Sequence, residues 1–192
     1  MADTDKNEKK ENGADVVSDK FLQTRSIMLS GEIDKESAEK VVKQLLILEA
    51  ESDEPIKIFI NSPGGDVDAG FAIYDMAKFV KNEVYMIGMG LIASAATLVL
   101  LAVPAERRLG LPNSSYLIHQ PMSRMEGVAT DIEIYTKQLE RTRDRLNAIV
   151  AAQTGQPIEV VKRDTDRDYW LDAQEAISYG LISRVVENRS EI

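Results

Sequence analysis

The sequence predicts an α/β domain, because short β-like apolar runs alternate with segments of helical spacing and turn-forming residues separate the two. The chain has 192 residues, of which 44% are hydrophobic and 29% are charged. These proportions are ordinary for a globular protein, and the length fits one domain with a single core better than two. Strands that alternate with helices are typical of a sheet covered by helices.

The elements follow in order from residue 26. A short strand over 26–29 precedes a helix from about Asp34 to Glu51, whose apolar residues recur at helical spacing. A strand over 56–60 has isoleucine at every second position, and residues 61–65 form the turn that ends it. Next come a helix over 66–80, a strand over 84–87, a buried helix over 94–102 and strands over 109–111 and 116–119.

The longest helix lies in the second half of the chain. Thr130-Asp131-Ile132-Glu133 has the sequence of a capping box, which predicts a helix start at Thr130. Gly155 and Pro157 predict its end near Gln153. The last elements are a short helix, a strand near Tyr169, a helix over 173–179 and a strand over 181–186.

A charge-free stretch from Val84 to Ala105 is long enough to span a bilayer. Gly88 and Gly90, followed by Ala93-Ser94, argue against a membrane helix and indicate a strand that turns into a helix. We therefore interpret the stretch as buried core and expect no membrane contact.

The composition excludes several classes of function. The formal net charge is -9 and the pI is about 4.8, so an acidic surface repels phosphate backbones and no nucleic-acid partner is expected. The chain has no cysteine and a single histidine. A thiol nucleophile, a disulfide framework, a cysteine-ligated zinc site and a histidine-rich metal site are excluded, and we expect no metal. The lack of cysteine also fits a reducing compartment, so we expect a cytoplasmic location.

The N-terminal residues differ from the rest of the chain. The first fifteen mix charges without an apolar run, which is not the pattern of a secretory signal. Such a segment lacks the apolar surface needed to offset the entropy of ordering. We therefore predict a flexible tail over residues 1–18 and a folded domain over residues 19–192.

Three polar residues near the ends of predicted strands are candidates for chemistry. Ser94 follows a strand and starts a helix, where free amides stabilise nearby negative charge, although a plain helix N-cap is the commoner role. His119, the single histidine, ends a strand, which is where α/β proteins bind ligands. Asp168 lies in a charged run beside an apolar segment, and a carboxylate there can orient an imidazole. The residues alone leave structural roles open for all three.

Two glycine motifs also have functional interpretations. Gly64-Gly65 ends a strand, and paired glycines let a backbone amide approach a ligand closely, as in half of an oxyanion hole. The stretch from Gly88 to Ala93 matches the dinucleotide fingerprint GxGxxA. The fingerprint requires a second strand that ends in an acidic residue, and Glu106 is followed at once by two arginines. A nicotinamide cofactor is therefore the weaker interpretation.

Taken together, these segments resemble the ClpP family, the peptidase component of the Clp proteases. The resemblance runs from about Phe21 to Glu187. The motifs that carry it are Asn61-Ser62-Pro63-Gly64-Gly65, Ala93-Ser94, Leu111-Pro112-Asn113-Ser114, Ile118-His119-Gln120-Pro121, Ala129-Thr130-Asp131-Ile132-Glu133-Ile134, Arg163-Asp164-Thr165-Asp166-Arg167-Asp168 and Tyr179-Gly180-Leu181.

The resemblance implies a crotonase-like α/β spiral of ββα units with a long handle helix. It also implies a serine endopeptidase subunit in a barrel of two stacked heptameric rings, homo- or hetero-oligomeric. An ATP-dependent AAA+ unfoldase would deliver unfolded polypeptides to this barrel. The sequence has no GxxxxGK[ST] loop, so we expect no cofactor in this chain and assign ATP use to the partner.

Carried over residue by residue, the resemblance assigns Ser94 as the nucleophile, His119 as the base and Asp168 as the acid that orients the base. The backbone amides of Gly65 and Ala95 match the residues that form the oxyanion hole.

Asp166 and Arg167 match the pair that contacts the opposite ring. As neighbours in a strand, Arg167 and Asp168 are expected to face opposite sides. The chain departs from the family at Ala95-Ala96, where Met-Gly is usual, and at Ser123-Arg124, where a glycine pair is usual. Two alternatives to an ordinary subunit stay open: a weakly active or regulatory ClpP paralogue that requires a second subunit, and a crotonase-type acyl-CoA enzyme.

Overall fold

Seven strands form one mixed sheet in the part of the chain that the computed structural model describes, residues 16–192. The strands are β1 (Ser26–Ser30), β2 (Ile56–Ser62), β3 (Val84–Ala93), β4 (Arg108–Gly110), β5 (Ser115–Ile118), β6 (Tyr169–Leu171) and β7 (Arg184–Val185). The helices are α1 (16–22), α2 (Lys35–Glu51), α3 (Val67–Phe79), α4 (Ala95–Leu100), α5 (Ala129–Thr154), α6 (Ile158–Asp164) and α7 (Ala173–Tyr179).

The third strand, β3, belongs to two branches of the sheet. Its first half pairs in parallel with β2 and β4, which continues the order β1-β2-β3-β4-β7. Its second half pairs in parallel with β5, and β5 pairs antiparallel with β6. Helices connect the parallel strands, and α5 is by far the longest at 26 residues. The predicted α/β class with a long helix is confirmed.

Several predicted boundaries differ from the structure. The strand predicted over 84–87 extends to Ala93, so the buried helix after it is shorter than predicted and covers Ala95–Leu100. The capping box at Thr130 is wrong, because α5 starts after Val128 without a side-chain cap. Glu133 instead pairs with Lys137 one turn further along the same helix. The predicted tail over 1–18 lies outside the described residues, except for residues 16–18, which belong to α1.

The two glycines of the apparent dinucleotide motif are required by packing. Gly88 lies against Tyr116, which is fully buried, and a Cβ at Gly88 would lie 2.8 Å from the Tyr116 hydroxyl. Gly110, outside the motif, lies against the same side chain. Gly90 has a positive φ of 62° and faces the side chain of Asn61. The whole GxGxxA stretch lies within β3 and does not form the strand-to-helix turn that grips a pyrophosphate. The nicotinamide interpretation therefore lacks its structural basis.

The charge-free stretch from Val84 to Ala105 is divided between β3 and α4, and most of its residues are buried in the core. Within residues 16–192, none of the helices combines the length and the apolar character needed to cross a membrane.

Arg25 ties the start of the sheet to the end of α2. Its guanidinium donates to the backbone oxygens of Leu48, Ser52, Glu54 and Pro55 at 2.8–3.3 Å. Leu48 and Ser52 lie at the C-terminal end of α2, where free acceptors and the helix dipole favour a cation, and Glu54 and Pro55 lie in the loop that follows. The arginine holds this position with a φ of 56°, which non-glycine residues seldom adopt.

We expect Arg25→Ala to lower the free energy of unfolding by about 2 kcal/mol, because several carbonyls lose a charged donor. Arg25→Lys is the matched control: it keeps the charge but cannot reach these acceptors together, so it should recover only part of the loss. Denaturant unfolding at one fixed protein concentration measures the difference. Equal midpoints for the arginine and alanine proteins would show that this cap contributes nothing.

Candidate active site

The register of the sheet brings three strand ends together. Ser94 comes directly after β3, His119 directly after β5, and Asp168 directly before β6. Antiparallel pairing puts the residue after β5 opposite the residue before β6, so His119 and Asp168 face each other. Parallel pairing of β5 with the end of β3 brings Ser94 alongside them.

The three side chains form a continuous hydrogen-bonded line. His119 Nε2 lies 2.8 Å from Ser94 Oγ, and His119 Nδ1 lies 3.0 Å from Asp168 Oδ1. An ionised carboxylate only accepts hydrogen bonds, so the ring proton belongs on Nδ1 and Nε2 is free to accept from the serine. The imidazole is 12% exposed, whereas the side chain of Asp168 is 62% exposed.

Ser94 does not act as a conventional helix cap. Its backbone has φ 57° and ψ -122°, and its side chain makes no capping bond to α4. Its N–H donates to Leu117 O of β5 at 3.0 Å, which holds the residue against the neighbouring strand. Such a conformation costs about 1–3 kcal/mol and persists only where the surroundings enforce it. The turn points Oγ at the imidazole.

The loop after β2 passes directly beside this turn. A Cβ on Gly64 would lie 2.5 Å from Ala93 O and 2.7 Å from Ser94 Cβ, so only glycine fits there. Ile33 bonds to both neighbours of Gly65: its N–H donates to Gly64 O, and its carbonyl accepts from the N–H of the residue after Gly65. This pattern turns the N–H of Gly65 away from Ile33.

Two backbone amides belong to residues that adjoin Ser94 in sequence or in the fold. The N–H of Ala95 belongs to the first turn of α4, where no intrahelical acceptor exists. Within residues 16–192, neither this amide nor that of Gly65 donates a hydrogen bond. Both residues flank Ser94, Ala95 in sequence and Gly65 through its neighbour Gly64.

Gln120 fixes the segment that carries the carboxylate. Its backbone N–H donates to Thr165 O at 2.6 Å, and its side-chain Nε2 donates to Asp166 O at 2.7 Å. Because Gln120 follows His119 directly, these bonds set Asp168 relative to the imidazole. The sequence motif contained Gln120, but nothing in its spacing indicated this role.

The segment from Asp166 to Asp168 is a turn, and only Tyr169–Leu171 are in a strand. The expectation that Arg167 and Asp168 alternate as strand neighbours is therefore wrong. Arg167 is exposed and makes no hydrogen bond or ion pair within the described residues.

A small pocket of about 40 Å³, partly open to solvent, adjoins Ser94 and His119. Its walls are mainly apolar and come from α3, α4, β5 and α5. It also contains Asn147 and Thr165, which are buried and bonded to each other. Asn147 was not singled out, because it is a lone polar residue within a helix, and Thr165 was part of a family motif but had no role assigned to it.

The chain belongs to the Clp protease family, a family of serine peptidases, whose model matches residues 8–189. It is 57% identical over 183 residues to the ATP-dependent Clp protease proteolytic subunit 2 of Treponema pallidum, covering 95% of this chain and 92% of the relative. It is 51% identical to proteolytic subunit 3 of Rhizobium johnstonii over 172 residues, covering 90% and 89%. A solved structure of a ClpP1 mutant from Listeria monocytogenes superposes with a TM-score of 0.85 at 46% identity, covering 91% of this chain and 98% of that one. The resemblance and the fold expected from it are confirmed.

The strained turn gives a test that is independent of activity. Ser94→Ala removes only the hydroxyl and keeps the backbone strain that a Cβ causes at positive φ. Ser94→Gly removes both the hydroxyl and that strain. We expect the glycine protein to be more stable than the alanine protein by about 1 kcal/mol, because glycine adopts a positive φ without strain. Denaturant unfolding compares the two. An alanine protein at least as stable as the glycine protein would contradict strain at Ser94.

Proposed function

We propose that the chain is a serine endopeptidase in which Ser94 is the nucleophile, His119 the general base and Asp168 the group that orients the base. The observation that carries this proposal is the hydrogen-bonded line from Asp168 through His119 to Ser94. A crotonase-type acyl-CoA enzyme would not need a serine, a histidine and an aspartate hydrogen-bonded in this way, so the arrangement favours the peptidase.

The reaction follows from the geometry. His119 Nε2 takes the proton from Ser94 Oγ while Oγ attacks the carbonyl carbon of the peptide bond. The N–H groups of Gly65 and Ala95 donate to the oxyanion, and the residue at Ala95 needs no particular side chain for this. His119 then gives the proton to the leaving amine. Water, deprotonated by His119, hydrolyses the ester and frees Ser94.

We further propose that the subunit works inside a barrel of two stacked heptameric rings, homo- or hetero-oligomeric, in the cytoplasm. Unfolded polypeptides would reach it from an AAA+ unfoldase that uses ATP, and this chain would need no cofactor or metal of its own. The support is family membership and the names of the relatives, which are proteolytic subunits of ATP-dependent proteases.

A weakly active or regulatory paralogue is the second candidate. Asp168 is largely exposed in the single chain, and water weakens the interaction that holds the imidazole. A contact from another subunit that covers Asp168 would then decide how active the chain is.

A fluorophosphonate probe tests the proposal, because only an activated serine reacts quickly with it. We expect rapid labelling at Ser94, none in Ser94→Ala, and labelling slowed by about a hundredfold or more in Asp168→Asn, whose amide favours the wrong tautomer. Labelling of the native chain no faster than of the denatured chain would overturn the proposal. Rapid labelling only after a second proteolytic subunit is added would favour the paralogue.

Arg167 is expected to couple assembly to activity. The proposed inter-ring pair, Asp166 and Arg167, lies on the exposed turn just before Asp168, and an ordinary solvated arginine contributes under about 1 kcal/mol. We expect Arg167→Ala to sediment as smaller particles and to lose peptidase activity in parallel. Arg189→Ala, exposed on the C-terminal turn, is the control. A full-size Arg167→Ala assembly with unchanged turnover would leave Arg167 as ordinary surface.

A further inference from the structure

The segment that follows the candidate base has no regular secondary structure. Residues 120–128 connect His119 to the start of α5, and none of them lies in a helix or strand. Among residues 16–192, no backbone group of 121–127 bonds to another backbone group. Gln120 fixes the first end of the segment through its bonds to the turn over 165–166, and α5 fixes the last end. The backbone between these ends therefore depends on side chains to hold its position.

One side-chain hydrogen bond ties the segment to α5. Ser123 Oγ lies 2.5 Å from Tyr135 Oη, and Tyr135 belongs to the second turn of the helix. Met125 lies against the same stretch, since it lines a surface hollow together with Ile134 and Tyr135. The segment therefore folds back along the first turns of α5. Ser123 stands where the family usually has glycine, so its hydroxyl is not part of the family pattern.

The start of the same segment lines a groove beside the base. The groove has a volume of about 410 Å³ and is open to solvent. Residues 119–122 form the groove wall, and the turn over 166–168 lines the groove as well. Ser123 follows the last residue of the groove wall directly, so the bond to Tyr135 acts on the position of this wall.

We infer that Ser123 and Tyr135 are positioning residues that hold the groove wall where it contacts a bound polypeptide. The inference rests on the proposed function, because a polypeptide attacked by Ser94 lies next to His119 and extends one arm into this groove. Without the bond the groove wall samples other positions, and only the fraction of molecules with the wall in place binds the polypeptide. The apparent affinity falls by that fraction.

The test compares a long and a short substrate of the assembled enzyme. An internally quenched peptide reaches the groove, whereas a small activated ester reacts at Ser94 without filling it. Tyr135→Phe removes only the hydroxyl, and we expect it to raise the KM of the peptide about fivefold, which corresponds to about 1 kcal/mol for one net hydrogen bond. The kcat of the peptide and both constants of the ester should not change, because the bound complex keeps the groove wall in place.

Ser123→Ala removes the other hydroxyl, and Thr136→Val is the matched control. Ser123→Ala should raise the KM as much as Tyr135→Phe does, and the double variant no more than either, because each removes the same bond. Thr136→Val deletes a hydroxyl that bonds within α5, to Ile132 O at 2.8 Å, and should leave the KM unchanged. Additive effects, or equal effects on the peptide and the ester, would show that neither residue positions the groove wall.

A binding measurement separates this inference from the proposed function. The peptide, labelled with a fluorophore, is titrated into Ser94→Ala protein, which lacks the candidate nucleophile, and the anisotropy gives Kd. An affinity about fivefold weaker in Ser94→Ala/Tyr135→Phe supports the inference even in a chain whose serine fails to react with the fluorophosphonate. Equal affinities, or no binding to either protein, contradict it however fast that probe reacts.

Discussion

The contact between Gly64 and the turn at Ser94 holds the site together. The loop after β2 lies so close to the end of β3 that a single added carbon at Gly64 would overlap the backbone on either side of Ser94. The same closeness places Gly65, the neighbour of Gly64, near the turn that carries Ser94 and Ala95. The energy that maintains the unfavourable backbone at Ser94 comes from its surroundings: the bond to β5, the buried helix α4 and this loop.

The forked third strand explains how the parts reach one another. Because its first half pairs with β4 and its second half with β5, the sheet continues from the main strands into the β5–β6 ribbon without a break in strand pairing. The glycines at 88 and 90 make room at the fork for Tyr116 and Asn61. Burial raises the pKa of the Tyr116 hydroxyl to about 12, because the core disfavours the charged phenolate. The hydroxyl has a hydrogen bond with Ser114 Oγ at 3.0 Å.

The order and type of the elements followed from local patterns, and the motifs identified the family, but details that depend on distant partners did not. The glycines of the GxGxxA stretch resembled a cofactor loop because their true partner, Tyr116, is remote in sequence. The sequence predicts an extended segment over 166–168, whereas the structure has a turn there. The hydrogen bonds from Gln120 that hold this turn cannot be recognised from the sequence, because Gln120 is remote along the chain. The position of Asn147 in the pocket could not be predicted from the sequence, because four separate elements build that pocket. The roles of Ser94, His119 and Asp168 came from resemblance and stay predictions, although the structure brings them within bonding distance.

The open position of Asp168 has a consequence for the life of the chain after synthesis. A single subunit exposes most of the Asp168 carboxylate to water, which weakens its attraction to the imidazole. On the roles proposed above, the serine of such a subunit would be less activated. We expect such a subunit to be a poor hydrolase while it is still alone among other cellular proteins. Full reactivity would then arise only where neighbouring surfaces exclude water from that turn, which would limit stray digestion before assembly.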